Sequence, residues 1–235
     1  MAGLFYMKIG FTGLDIPEGK IKYKDEKLIA LEQKCQPKKV SPFFVEFLKD
    51  EYIQSAAIAV HKDKLLDILI VDIEKLETRI ANTDSANEKE LCKKCISYLE
   101  KEVSLCDVDF NEEEQKLLQG LSPISIKPTA VFEAQGDIDA IIKNVLDKSQ
   151  MTFFYTAGKQ EVHAWLIKKS SNIVTCAEKI HSDLARGFIK ADIISFDDYM
   201  KCHGMTDAAT KGLVKVVGRD YAIGDSEIIE IRFNV

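Results

Sequence analysis

Polar and apolar residues alternate along Met7-Lys-Ile-Gly-Phe-Thr12, which predicts a strand that enters a turn at Gly13. Lys20-Ile-Lys-Tyr-Lys24 alternates again, and Phe43-Phe-Val-Glu-Phe47 and Ala56–Val60 are further strand candidates. Between them Asp25 is placed to cap a helix over Glu26–Cys35, which Pro37 stops. The period then changes. Leu66, Leu69, Ile73, Leu76 and Ile80 are spaced as one helical seam, and Asn82-Thr-Asp-Ser85 interrupts it. Ser85 and Glu88 form a capping-box pattern opening a second helix, whose seam runs through Cys92, Ile96, Leu99, Val103 and Cys106. Two such seams joined by a short polar turn predict an antiparallel helical hairpin.

After the hairpin, Asp109-Phe-Asn111 leads into a short helix over Glu112–Gln119. Lys127-Pro-Thr-Ala-Val-Phe132 reads as a fifth strand of a thin sheet, and Asp137–Lys148 as an amphipathic helix with Ile138, Ile141, Ile142 and Val145 on one face. From Met151 the pattern is strand, turn, strand, helix, strand, short helices and a last strand over Ile228–Val235. Trp165 falls in an alternating strand and reads as core; His181 follows a helical stripe and reads as a structural hydrogen-bonding residue.

Charge changes the picture in one place. The net charge is −6, and residues 62–119 carry 9 Lys/Arg against 15 Asp/Glu, while residues 150–235 carry 11 of each. The acid belongs to the solvated faces of the hairpin. Since no region is basic overall, nucleic-acid binding is not the default, and any RNA contact needs a local patch on a neutral domain. The longest apolar runs are too short to span a bilayer, and Met1–Met7 lacks the parts of a secretory signal, so the chain reads as cytoplasmic with no membrane partner. Six cysteines include one tight pair, Cys92 and Cys95, with no second pair or histidines at ligand spacing; they read as packing residues, and no metal site is expected.

The C-terminal third carries a specific resemblance. Thr152-Phe-Phe-Tyr-Thr-Ala-Gly-Lys-Gln-Glu-Val-His-Ala-Trp165, Lys179-Ile-His-Ser-Asp183, Arg186-Gly-Phe-Ile-Lys-Ala-Asp192, Ser195-Phe-Asp-Asp-Tyr199 and Arg232-Phe-Asn-Val235 resemble the TGS domain of the Obg-like (YchF-type) ATPases. Upstream, Gly19–Leu28, Gln36-Pro-Lys-Lys-Val-Ser-Pro42 and Val45-Glu-Phe47 are similar to segments of the same family's nucleotide domain. The nucleotide motifs themselves depart from the pattern. Gly13 and Gly19 are separated by five residues where a phosphate loop has four, and Ile21 stands where a Ser or Thr would hold Mg²⁺. Leu48-Lys-Asp-Glu51 replaces the family's D-x-A-G, and Glu133-Ala-Gln-Gly136 replaces its base-reading N-x-x-E.

The resemblance implies an α/β (α+β overall) fold in three parts. These are a reduced P-loop-domain remnant with a small sheet (residues 1–62 plus 120–149), an inserted antiparallel helical hairpin (63–119), and a C-terminal β-grasp-like TGS domain (150–235). The chain then reads as a truncated member that has lost NTPase activity, with no catalytic residues and no cofactor, because phosphoryl transfer depends on positioning by those motifs. The expected function is that of a binding module for the ribosome, RNA or a protein partner. The alternatives are a residual ATP/GTP-binding protein or weak ATPase, and a subunit that associates with itself; DNA is not an expected partner. The candidate macromolecule contacts are Lys159, Lys168, Lys169, Arg186 and Lys190.

Overall fold

The structure is a computed structural model and describes residues 6–234; the reading of the first residues as free of a targeting signal lies largely outside that range, as does Val235. In chain order the first elements are strands β1 (Tyr6–Thr12) and β2 (Gly19–Lys22), helix α1 (Glu26–Cys35), and strands β3 (Lys39–Ser41), β4 (Phe44–Lys49) and β5 (Ala57–His61). Helices α2 (Lys62–Asn82), α3 (Ala86–Leu99) and α4 (Glu112–Leu121) follow, then β6 (Thr129–Phe132) and α5 (Ile138–Lys148). The remainder is β7 (Met151–Ala157), β8 (Glu161–Lys168), α6 (Ile173–Ile180), α7 (Ser182–Arg186), β9 (Phe188–Ser195), α8 (Phe196–Met200), α9 (Met205–Thr210), β10 (Lys215–Val217) and β11 (Glu227–Phe233). The chain is thus mixed α/β with two sheets, as expected.

Two compact units share the chain, one built from residues 22–44 and 150–235, the other from 7–21 and 45–149. This differs from the expected boundaries in two respects. Residues 22–44 pack with the C-terminal segment rather than with the small sheet, and the hairpin is not a separate body.

In the unit of residues 7–21 and 45–149, the five anticipated strands form one sheet in the order β2-β4-β1-β5-β6, with β5 parallel to both β1 and β6. Ile58 and Val60 of β5 share a single core with Leu65, Ile68, Leu69 and Leu76 of α2 and with Leu91, Cys92, Cys95 and Leu99 of α3. The hairpin is therefore rooted in the sheet, which explains why its inner stripe differs from the predicted seam. The first turns of α2 face the sheet through Leu65 and Ile68, so Leu66 turns outward and is 45% exposed.

The helix α3 also ends earlier than its apolar spacing implies. Glu102 takes a left-handed conformation (φ 58°), the chain leaves the helix, and Leu105 fills the core instead of Val103. Of the predicted capping box only half forms. Ser85 accepts from the Glu88 amide, but the Glu88 carboxylate binds Arg79 at 2.9 and 3.0 Å and the Thr83 hydroxyl. Asp72, fully buried, accepts the amides of Ile124 (2.6 Å) and Ser125 (2.7 Å) and so fixes α2 to the short 3-10 turn over Ile124–Ile126.

The unit of residues 22–44 and 150–235 is organised on a six-stranded mixed sheet, in the order β10-β9-β11-β7-β8-β3. Phe154, Trp165, Ala191, Ile193 and Ile229 pack with Ile173, Cys176 and Ala177 of α6 in one cluster. Tyr155, Val162, Ala164, Ile194 and Ile228 pack with Leu28 and Leu31 of α1 and Tyr199 of α8 in another. Neighbouring residues such as Phe154 and Tyr155 alternate between the clusters, as strand geometry requires. Strand pairing, a hydrogen bond and a ring stack join that packing in tying residues 22–44 to this sheet. Strand β3 runs parallel to β8, from Lys39 opposite Glu161 to Ser41 opposite His163. Asp25 caps α1 and accepts from the Tyr155 hydroxyl at 2.9 Å, and Tyr23 stacks on Phe153.

Candidate nucleic-acid interface

Strand register places the five lysines and arginines singled out from sequence. Strand β11 runs parallel to β7 with Ile228 beside Tyr155, so Arg232 of β11 lies level with position 159. Lys190 of β9 is opposite Arg232. Lys159, in the turn joining β7 to β8, and Arg186, at the end of α7 just before β9, therefore belong with Lys190 to one end of the sheet. Lys168 is opposite Met151 at the other end, and the amide of the next residue, Lys169, donates to the Gln150 carbonyl. Eight strand positions separate the two sets, about 26 Å at ~3.3 Å per residue. The structure brings Lys159, Arg186 and Lys190 to one rim and leaves Lys168 and Lys169 apart from them.

Three further cations join that rim. The Lys38 amide donates to the Lys159 carbonyl, and Lys39 opposes Glu161, so the paired lysines of Gln36-Pro-Lys-Lys-Val40 flank the β7–β8 turn. Arg219, just beyond β10, donates to the Phe188 carbonyl at 2.9 Å with its guanidinium over the Phe188 ring. Much of the acid on the rim is already engaged. Asp183 pairs with Arg186 (2.8 Å), Asp192 holds Arg232 through two bonds of 2.8 Å, and Glu161 accepts from Lys39 and Ser41. Among the described residues Lys38, Lys159 and Lys190 make no side-chain ion pair. The result is a local positive edge on a unit whose residues 22–44 and 150–235 carry 17 Lys/Arg against 14 Asp/Glu, flanked by the exposed side chains of Ile189 and Phe233. The sequence contains the signal for Lys38 and Lys39 in their adjacency, but only the pairing of β3 with β8 reveals where they belong.

His181 sits near this rim as the N-cap of α7, its Nδ1 accepting the Asp183 amide at 3.1 Å, which is the structural hydrogen bond anticipated for it. Trp165 is buried, stacks on His163 and donates from its indole to the Thr156 hydroxyl at 3.1 Å.

The loop between β1 and β2 carries the Gly13–Gly19 segment compared above with a phosphate loop. Leu14 and Ile16 point into the core, Asp15 and Glu18 face solvent, and the chain continues into β2 rather than into a helix. A helix N-terminus would offer free amides and a positive dipole end to phosphate. Here the Asp15 amide is taken by Gln135 Oε1 at 2.6 Å, and Gln135 Nε2 donates to the Gly13 carbonyl at 3.0 Å. Gly13 is left-handed (φ 70°), and a Cβ there would lie 2.7 Å from Lys64 Cγ and 2.8 Å from His61 Cβ. Gln135, from the Glu133–Gly136 segment, thus braces the Gly13 loop from both sides of its side-chain amide.

Comparison with known proteins identifies relatives of both parts. The model of the YchF GTPase C-terminal region, described as a protein of unknown function (DUF933), matches residues 151–234. The ribosome-binding ATPase YchF of Bacillus subtilis (strain 168) is 26% identical over 237 residues, covering 72% of this chain and 65% of its own length. The ribosome-binding ATPase YchF of Buchnera aphidicola subsp. Baizongia pistaciae is 28% identical over 234 residues, again over 72% of this chain and 64% of its own. The chain thus spans just under two thirds of the length of these relatives. Obg-like ATPase 1 of Xenopus laevis is 34% identical over 133 residues, 57% of this chain and 31% of its own. The structure of the Schizosaccharomyces pombe YchF GTPase has a TM-score of 0.76 at 14% identity, covering 96% of this chain and 97% of that one, which shows a shared fold.

These relatives correct one expectation. Loss of NTPase activity was inferred from the altered motifs, whereas the similar proteins are named ATPases and a GTPase.

Proposed function

The chain belongs to the YchF/Obg-like ATPase family, and from that premise we propose that it binds the ribosome, in the cytoplasm, through RNA phosphates met by the basic rim of its C-terminal, TGS-like unit. The observation that carries this reading is the gathering of Lys38, Lys39, Lys159, Lys190 and Arg219 on one rim by strands distant in sequence. Two similar proteins are named ribosome-binding, which supplies the partner. Residues 62–119, with their excess of acid, are unsuited to phosphate at long range. Each phosphate neutralised by a lysine or arginine releases counterions, and the logarithm of affinity falls with the logarithm of salt by about 0.7–0.9 per contact.

The test is co-sedimentation of the full chain with ribosomes across a salt series. A Lys159/Lys190/Arg219→Ala variant is expected to bind more weakly, with a slope shallower by about 2. A Lys168/Lys169→Ala variant, altered at the far end of the sheet, measures whether that end takes part. Unchanged affinity and slope in the first variant would refute the rim as the interface.

A second reading, nucleotide binding with or without hydrolysis, is supported by the relatives' names as ATPases. Saturating Mg-ATP or Mg-GTP at 100 times a dissociation constant stabilises a folded protein by about 2.7 kcal/mol. A melting shift of that order, followed by phosphate release under turnover conditions, would establish it.

A further inference from the structure

Strand β11 lies between β9 and β7, and its last residue, Phe233, stands at the basic rim. Alternation puts Phe233 on the same face of the sheet as Ile229 and Ile231, which pack in the α6 cluster, while Arg232 faces the other way and is held by Asp192. The ladder is irregular at this point. Arg232 is opposite Lys190 and Phe233 is opposite Phe188, so Ile189 is the extra residue of a β-bulge. The bulge explains how Phe188 and Ala191, three positions apart on one strand, both reach the α6 cluster. Ile189 is left outside the ladder and is 53% exposed.

The two opposed phenylalanines differ in cover. The Arg219 guanidinium lies 5.6 Å from the centroid of the Phe188 ring, and Phe188 is buried. Phe233 is 49% exposed, and among the described residues no ring or cation lies over it. Cations stand on both sides of it. Position 160 is as far beyond Tyr155 as Phe233 is beyond Ile228, so the β7–β8 turn with Lys159 is level with Phe233 on one side. Phe188 and Arg219 are on the other, and two strand spacings, about 10 Å, span the set. A single apolar side chain on a surface needs no explanation. Two of them among unpaired cations suit a ligand that is anionic and apolar at once.

We propose that Phe233 is a stacking platform for an unpaired RNA base, so that the rim takes single-stranded RNA in preference to duplex. The inference rests on the reading of the rim as a phosphate-binding edge. An unpaired nucleotide joins a flat apolar base to phosphates on either side, and such bases stack on exposed aromatic rings. In a duplex both faces of each base are already covered by neighbours. A base laid over Phe233 directs its flanking phosphates toward Lys159 and Arg219. An acidic peptide would satisfy the cations without using a flat ring. An anionic membrane is held by a long apolar helical face, whereas this rim offers two side chains.

The test is fluorescence anisotropy of the full chain with a fluorescein-labelled, mixed-sequence single-stranded RNA and with the same strand annealed into a duplex, across a salt series. The single strand is expected to bind more tightly. Phe233→Leu should weaken its binding about fivefold or more and leave the salt slope unchanged, because a base contact is lost and no phosphate contact is. Phe233→Tyr keeps an aromatic face and should retain native affinity, with melting temperatures confirming that both variants fold. On the native chain a strand carrying 2-aminopurine should be quenched as it binds, which reports stacking without any substitution. Duplex bound as tightly as single strand, native affinity in Phe233→Leu, or no quenching would overturn the platform. If Lys159/Lys190/Arg219→Ala still flattens the salt slope in that case, the rim survives as a phosphate edge and only the stacking inference fails. Binding to phosphatidylserine vesicles that Phe233→Leu abolishes, with no binding to the single strand, would overturn it in favour of a lipid surface.

Discussion

His163 and Asp25 show how burial sets the charge of single groups. The His163 ring stacks on Trp165 with centroids 3.6 Å apart, and desolvation, outweighing the Glu161 carboxylate 3.4 Å away, lowers its pKa from 6.5 to about 4. The unfolded chain therefore binds this proton more readily than the folded one. The stabilisation is fully present above pH 6.5 and is lost as pH falls from there through about 4, to the extent of about 3 kcal/mol. Urea titrations at pH 7.5 and 4.5 should show that loss in the native chain and a smaller one in His163→Gln; equal losses would exclude His163 as the source. Asp25 is pushed above the usual carboxylate range by burial, although the amides of Leu28 and Lys27 and the Tyr155 hydroxyl all donate to it. Asp25→Ala is expected to cost about 1–3 kcal/mol by orphaning those donors, and Asp25→Asn less, because the amide oxygen still caps the helix. Equilibrium unfolding of the two variants checks the order, which fails if Asn is the more damaging.

At the scale of elements, turns and caps were readable while the ends of apolar stripes were not. Asp25 and Ser85 each cap the helix that follows, as short polar side chains before an apolar period should, whereas Asp137, read as the first residue of its helix, proves to be its cap. The stripe through Val103 and Cys106 misled because heptad spacing persists past the point where the chain turns left-handed at Glu102. No local pattern exposes Asp72, which lies on α2 yet serves as acceptor for the 3-10 turn some fifty residues later. Asp72→Ala leaves two amides without their acceptor and is expected to cost about 2–4 kcal/mol, with Asp72→Asn recovering part of it. Thermal or urea unfolding that shows no difference between Asp72→Ala and the native chain would remove this contact from the account of how α2 is anchored.

For the whole molecule the consequential feature is that the C-terminal unit is not contiguous. Residues 150–235 by themselves lack α1 and β3, so Tyr155, Val162, Ala164, Ile194 and Ile228 lose the cover of Leu28 and Leu31, and β8 loses its partner strand. Expressed alone, that segment should aggregate or show weak near-ultraviolet dichroism, and joining residues 22–44 to its N-terminus through a flexible linker should restore a cooperative transition. A well-folded, soluble 150–235 fragment would contradict this assignment. The same non-contiguity governs the proposed ribosome contact, because Lys38 and Lys39 belong to the segment such a fragment omits.

What the sequence determined by itself is whatever depends on neighbours along the chain. The alternation of β1, the periods of α2 and α5, the capping residues, the acid of the hairpin and the motifs of residues 151–234 are all local, and each is legible without coordinates. Tertiary structure alone decided which strands became neighbours. Pairing β3 with β8 and β9 with β11 drew Lys38, Lys39, Lys159, Lys190 and Arg219 to one rim and carried Lys168 and Lys169 about 26 Å away. It also seated Gln135 against the Gly13 loop, and it set Phe233 opposite Phe188 among the cations of the rim. Such juxtapositions follow from burying both faces of a sheet at once, a constraint that acts through space and leaves no periodic trace in the order of residues.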